Sequence, residues 1–247
     1  MLEVVSSRFV AAAENERSQN PAISIIMPAL NEEKTIGKVI SETAALMRSR
    51  GLSFEILVVD DGSTDGTFGE ALQCGAAVLS NETNHGKGFC LRKALEKARG
   101  EIVVTMDSDG EHMPMDIVRL LEPIFAGADV VAGSRFLNGT TNFTSRTHYF
   151  GNQLFNLSIM ILTGKRVTDS QTGFRALRRR VLDALSLESD GYEIETEITV
   201  KSLRNGFTFA EIPISIQRRR YGYTRIKLAA DGTKILKTIV RSSFAAI

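Results

Sequence analysis

The sequence predicts an α/β fold built on a doubly wound, mostly parallel sheet. Three observations carry that prediction. Between residues 23 and 132, short apolar runs of strand length alternate with stretches of helical periodicity. The stretches between the runs suit the helical crossovers that parallel neighbours require. Polar and acidic residues follow several runs directly, at the carboxyl ends where open α/β sheets bind ligands.

The elements follow in order. Residues 23–27 read as a strand stopped by Pro28. Residues 35–50 place Ile36, Val39, Ile40, Ala44 and Met47 at near-helical spacing. Residues 54–59 form a second strand, 64–74 a helix, 76–79 a short strand and 86–98 a helix. A fourth strand spans 101–106, followed by a helix at 114–125 and a strand at 129–132. Residues 134–147 are polar and rich in Gly, Thr and Asn, a long loop. Helices follow at 149–163 and 193–204, and strands at 207–212 and 214–216 flank Pro213. Residues 234–247 are amphipathic, with Ile235, Leu236, Ile239 and Val240 opposed to Lys234, Lys237 and Arg241. No repeat or clean linker appears. One domain is expected at 23–228, with a lead-in at 1–22 and a C-terminal amphipathic helix at 229–247.

The bulk composition narrows the function. The chain has 247 residues, 43% hydrophobic and 24% charged, which is ordinary for a globular protein. A net charge of +1 gives no basic field for nucleic acid. Cys74 and Cys90 sit in no CxxC pattern, which argues against a zinc site or a disulfide framework and for a reducing compartment. No apolar run reaches the roughly 18 residues that mark a membrane span, and the N-terminus lacks the apolar core of a signal peptide.

The informative segment is Thr-Met-Asp-Ser-Asp-Gly-Glu-His at 105–112. In a continuing strand Asp107 and Asp109 would point to the same side, and Glu111 repeats the spacing. Converging carboxylates make a poor core and a good seat for a hard divalent cation, a solvated turn being the plain alternative. His112 reads as a further ligand or as a structural residue before Pro114. Asp60 directly follows buried-type residues, where a carboxylate suits a base or ribose. Residues 63–67 are explained by a turn and helix cap. Asn-His-Gly-Lys-Gly at 84–88 has neither Walker nor GxGxxG spacing. It is either a flexible cap or a set of backbone N–H groups with Lys87 near a diphosphate. Residues 169–175 and 218–225 set arginines beside glycine and hydroxyls, which suits phosphate binding as well as a solvated face. The acids at 191–197 are accounted for by a helix N-terminus.

Taken together, these motifs resemble the inverting glycosyltransferases of the GT-A fold, and within them the polyprenyl-phosphate group that includes dolichyl-phosphate mannosyltransferase. The matching segments are 27–33, 59–67, 84–88, 106–114, 133–135, 169–175 and 219–225, in family order over 23–228. The resemblance implies a Rossmann-like nucleotide-diphospho-sugar transferase fold with C-terminal amphipathic helices. It implies that Pro28, Asn31, Glu32 and Asp60 hold the donor nucleoside, with Lys87 and Asp107 near the base or diphosphate. Asp107, Asp109 and Glu111 would bind Mg2+ or Mn2+. Arg135, Arg175, Arg219 and Arg225 would surround the acceptor phosphate and donor diphosphate, forming with Asp109 the catalytic set. The family often has Gln at the position of Glu111 and Ser-Lys at Thr224-Arg225.

The implied reaction moves a sugar from UDP-glucose, UDP-N-acetylglucosamine or GDP-mannose to a polyprenyl phosphate. The acceptor is already anionic at neutral pH, so positioning matters more than a general base. A lipid acceptor implies a membrane surface on the cytoplasmic face; helices 149–163 and 234–247 either lie at it or are core-facing helices. The absence of a spanning segment leaves two expectations open, a small membrane subunit or transmembrane helices beyond residue 247. Three other readings stand beside this one: transfer to a soluble glycan, a sugar nucleotidyltransferase, and a non-catalytic nucleotide-sugar-binding subunit.

Overall fold

The computed structural model describes residues 20–137, 146–219, 221 and 228–244. Its first half runs β1 (Ile23–Ala29), α1 (Ile36–Ser49), β2 (Phe54–Asp60), α2 (Thr67–Gln73), β3 (Ala77–Ser80), α3 (Lys87–Leu95), β4 (Ile102–Thr105) and α4 (Asp116–Phe125). The second half runs β5 (Val130–Ser134), α5 (Arg146–Thr163), β6 (Arg175–Arg178), α6 (Arg179–Ala184), α7 (Ile194–Arg204), β7 (Phe209–Pro213) and α8 (Leu228–Phe244). The strands form one sheet in the order β3-β2-β1-β4-β6-β5-β7. Neighbours pair in parallel except β6, which runs antiparallel to both β4 and β5. The α/β, mostly parallel architecture read from the sequence is the observed one.

Alternation along the strands explains why both faces are buried. Ile23, Ile25 and Met27 of β1 join a cluster with α1 and α4, while Ile26 faces a second cluster with α3, α6 and α7. β4 repeats this, with Ile102 and Val104 on one face and Val103 on the other. Strands covered on both faces read as nearly continuous apolar runs, which is why these two were legible. A smaller cluster, with Ile159, Val200, Ile235 and Ile239, joins α5, α7 and α8 beside the sheet.

Three expectations need correction. Pro28 does not stop β1, which continues to Ala29 with Pro28 opposite Val59. Met106 N–H donates to Ile26 O, so Ile26 faces β4, and Pro28, two residues on, faces the same way. β4 has already ended at Thr105, so the missing N–H costs no ladder bond. The strand pair expected at 207–216 is a single strand, β7, laid parallel along β5. Ile216 beyond it makes only an isolated antiparallel bridge to His112. Finally, β6 was not anticipated, because Arg-Ala-Leu-Arg is too short and too charged to carry a strand period. Residues 1–19 of the expected lead-in and 138–145 of the expected loop lie outside the described residues.

Candidate functional site

The carboxyl ends of β1, β2 and β4 meet in one place. Asn31, just past β1, has a left-handed backbone with φ 55, which asparagine tolerates better than most residues. Its N–H donates to Ser63 Oγ at 2.8 Å, and its Oδ1 accepts Thr64 N–H at 2.8 Å. Asp60 is buried at the end of β2, where Oδ1 accepts Ser63 N–H at 3.2 Å. Ser108 Oγ donates to Pro28 O at 2.8 Å and ties the β4 turn to β1. A cavity of about 250 Å³ opens beside these ends, lined by Asn31, Glu32, Glu33, Lys34, Asp65 and Tyr221.

Asp107 and Asp109 lie in the turn after β4 rather than in a continuing strand, and they meet different cations. Asp107 Oδ1 is 2.5 Å from Lys87 Nζ. Burial works to raise the Asp107 pKa, but Lys87 and nearby positive groups outweigh it and hold the carboxyl down at about 2. Asp109 Oδ2 lies 3.7 Å from Arg219 NH1, and its Oδ1 accepts Glu111 N–H at 3.0 Å. Glu111 is pushed up to about 7, first by burial and then by the Asp109 charge, with Arg219 pulling the other way. Glu32 is also raised by burial although Arg219 pairs with it. His112 is a structural residue in this geometry. Its Nδ1 accepts Asp107 N–H at 3.2 Å, its ring stacks on Phe174 at 4.8 Å, and burial lowers its pKa.

Lys87 opens α3 directly after Gly86, whose φ of 103 and close approach to Asp190 O exclude a side chain. Asp61 holds that loop, accepting Asn81 Nδ2 at 2.7 Å, His85 N–H at 2.9 Å and Gly86 N–H at 2.8 Å. The Lys87 ammonium also reaches Glu195 Oε1 at 2.9 Å. Burial would lower the Lys87 pKa, but Asp107 and Glu195 raise it above the usual lysine value.

The arginines divide. Arg135 follows β5 and grips Asp169 through Nε at 2.7 Å and NH2 at 2.8 Å, while Asn152 donates to the same carboxylate at 3.3 Å. Glu211 of β7 fixes that turn by accepting Thr168 and Asp169 N–H at 2.8–2.9 Å. Arg219 pairs with Glu32 and donates through Nε to Tyr221 O at 3.0 Å. Arg175 departs from the expectation of a phosphate-facing group. It is fully buried, donating to Thr172 O at 2.8 Å, Ser170 O at 2.9 Å and Thr199 Oγ1 at 2.8 Å. It lies 3.3 Å from Glu195, so it holds the 170–172 turn from behind. Arg225 lies outside the described residues.

Sequence reasoning missed Asp61, Asp169, Glu195 and Glu211 as holders of the site. Glu195 carried the weakest signal, because an acid in a first helical turn has a sufficient explanation in the dipole. Among the described residues no three His, Cys, Asp or Glu side chains form a ready-made metal cage. The donor set nevertheless suits Mg2+ or Mn2+, which are held by one or two carboxylates together with water and substrate phosphates. The raised Glu111 carboxyl, crowded by Asp109 and Asp107, is the mark of negative charge that a cation would relieve. Asp107 and Asp109 are the residues that would hold it.

Comparison with known proteins shows the family and the fold. A family model described as glycosyl transferase family 2 matches residues 24–186. Glycosyltransferase AglJ of Haloferax volcanii is 32% identical, covering 89% of this chain and 71% of that protein. The dolichyl-phosphate hexose transferase of the same organism is 32% identical over 89% of this chain and 92% of its own length. Polyprenol monophosphomannose synthase of Mycolicibacterium smegmatis is 30% identical over 91% of this chain and 89% of its length. Among solved structures, glucosyl-3-phosphoglycerate synthase from Mycobacterium tuberculosis, in complex with phosphoglyceric acid, superimposes with a TM-score of 0.77 at 25% identity, covering 98% of this chain and 85% of that one. The same enzyme with Mn2+, uridine diphosphate and phosphoglyceric acid gives a TM-score of 0.78 at 24% identity, covering 98% and 84%.

Proposed function

The chain belongs to glycosyl transferase family 2, and on that premise we propose that it transfers a sugar from a nucleoside diphosphate to a polyprenyl phosphate with inversion at the anomeric carbon. The supporting observation is the meeting of unlike charges at one strand end. The acids Asp107, Asp109 and Glu111 face Lys87, Arg135 and Arg219, with His112 turned inward. A site for transfer between two phosphate-bearing partners needs cations for the phosphates and carboxylates for a metal. It needs no strong base when the attacking group is already an anion.

Each residue then has a task. Pro28, Asn31, Glu32 and Asp60 frame the nucleoside at the ends of β1 and β2. Asp107 and Asp109, with Glu111 beside them, hold Mg2+ or Mn2+. When bound, that ion neutralises charge developing on the leaving diphosphate. Lys87 lies on the diphosphate side. Arg135 and Arg219, with Arg225, receive the acceptor phosphate, whereas Arg175 positions the turn behind them.

The acceptor sets the place of work. No helix among the described residues is long and apolar enough to cross a membrane. However, α5 exposes Phe150, Leu154, Leu157 and Ile161, and α8 exposes Val240 and Phe244. Spacings of three and four residues put the α5 side chains on one face, suited to a peripheral seat on the cytoplasmic side of a bilayer. A soluble phosphorylated acceptor is the second reading, favoured by the likeness to glucosyl-3-phosphoglycerate synthase.

The test is a matrix of donors and acceptors. UDP-glucose, UDP-N-acetylglucosamine and GDP-mannose are each offered with undecaprenyl phosphate, dolichyl phosphate or 3-phosphoglycerate, in Mn2+ or EDTA. Lipid-linked sugar formed only with metal is the expected product, and Asp109→Asn should lower its rate by roughly 10²-fold or more. Transfer to 3-phosphoglycerate alone would replace the lipid reading with the soluble one. No transfer, together with no donor binding by calorimetry, would end both.

A further inference from the structure

We propose that Lys87 is an internal counter-ion of the cation seat, holding Asp107 while no divalent ion is bound and withdrawing onto Glu195 when one arrives. This rests on the metal reading given above. The Lys87 ammonium lies between two carboxylates, 2.5 Å from Asp107 Oδ1 and 2.9 Å from Glu195 Oε1. With 14% of its side chain exposed, it has little water to retreat into. A buried ammonium that lost one carboxylate with no second would bear a heavy desolvation cost. Glu195 removes that cost, so the exchange at Asp107 is open to the divalent ion.

Glu195 is built for this and not for capping. It stands in the first turn of α7, where an acid serving the helix dipole normally meets solvent. Its side chain is instead 3% exposed, between Lys87 and, at 3.3 Å, Arg175. With Arg175 beside it as well, the carboxylate has a cationic partner whether Lys87 leans towards it or towards Asp107. Gly173 leaves room for the lean. A Cβ there would fall 2.3 Å from Lys87 Nζ and 3.1 Å from both Asp107 oxygens. The loop ahead of Lys87 is fixed by Asp61, so the side chain is the moving part.

The experiment measures Mn2+ uptake by the full chain without nucleotide, from loss of the free-ion signal in electron paramagnetic resonance. Lys87→Met removes the competing cation and should tighten Mn2+ binding by about tenfold or more. Glu195→Gln should weaken binding when Lys87 is present and change it little in the Lys87→Met background. That cycle separates withdrawal onto Glu195 from a simple loss of negative field, which would act equally in both backgrounds. Thermal melting confirms folding, and Lys87→Gln replaces the Met variant should it not fold. Unchanged or weaker Mn2+ binding in Lys87→Met, or an equal cost of Glu195→Gln in both backgrounds, overturns the inference. The absence of Mn2+ uptake by parent and variant even with added UDP overturns the metal reading, and this inference with it.

Discussion

The ends of β1, β2 and β4 and the antiparallel strand β6 are both rich in charge, yet they use it in opposite ways. At the parallel ends Asp107, Asp109 and Glu111 stay partly open, and different cations reach the two aspartates. At β6 and the start of α6 the charges are tied into the framework. Arg175 is wholly buried, and Arg178 donates to Ala128 O at 3.0 Å and Ile124 O at 2.5 Å. Arg179 donates to Ala98 O at 2.6 Å and Gly100 O at 3.0 Å, while Arg180 pairs with Asp129. A guanidinium with several donors can replace missing ladder partners, which suits it to clamp a short antiparallel strand into a parallel sheet. Residue type therefore does not separate a ligand site from a clamp. The separating feature is what each charge meets: backbone carbonyls and fixed partners at the clamp, opposing charges left partly open at the strand ends.

The sharpest way to break this comparison is to remove one arginine from each region. Arg175→Met deletes three buried hydrogen bonds and one of the two cations on Glu195. It should lower stability by roughly 3–5 kcal/mol, read as a fall in denaturant midpoint. Arg219→Met breaks a mostly buried pair with Glu32 and should cost less, roughly 1–2 kcal/mol, and yet cut transfer to lipid phosphate by about 10²-fold. Similar stability losses in the two variants would show that the distinction between clamp and site is false.

What the sequence disclosed follows the same division. Strands buried on both faces, such as 23–27 and 54–59, announced themselves as apolar runs, and the turns after them were found because polar residues interrupt those runs. Arg175 was misplaced for a physical reason: arginine beside Gly173 and Thr172 has the same composition whether it faces a phosphate or the carbonyls of its own turn. Glu195, Asp169 and Glu211 were hidden because their partners are distant in the chain: Lys87 lies 108 residues from Glu195, Arg135 lies 34 from Asp169, and the Glu211 partners lie 42 and 43 away. No local pattern carries that pairing.

A smaller effect sharpens the account of the open region. Glu111 has its pKa raised from 4.5 to about 7 by burial and the Asp109 charge. In that window the folded chain binds a proton that the unfolded chain has lost, so stability falls as pH rises from about 4.5 to about 7. Glu111→Gln, measured in EDTA, should match the parent near the bottom of that window. Above it the variant should be the more stable by about 1 kcal/mol after solvent screening. A variant no better than the parent in alkaline buffer would mean that Glu111 is not crowded by its neighbours.

The smallest expected effect concerns a third kind of surface, in which apolar groups take the open position that charges hold at the strand ends. Ile161 is 71% exposed and Phe150 68% exposed on α5, while Ile159 on the same helix is fully buried against α7 and α8. The inward face therefore holds the helix in place, and the outward face is unneeded for folding. Ile161→Asn should change stability by less than about 0.5 kcal/mol, as surface substitutions do. If the stripe seats on lipid, the same change should weaken sedimentation with vesicles of phosphatidylcholine and phosphatidylglycerol by a few-fold, since a side chain seated only part-way into the interface gains a fraction of the about 1.5–3 kcal/mol of full burial. Transfer to a short, water-soluble polyprenyl phosphate should be unaffected, because the strand-end residues are untouched. Unaltered vesicle binding with reduced transfer from a native membrane extract would instead assign the stripe to a small membrane subunit.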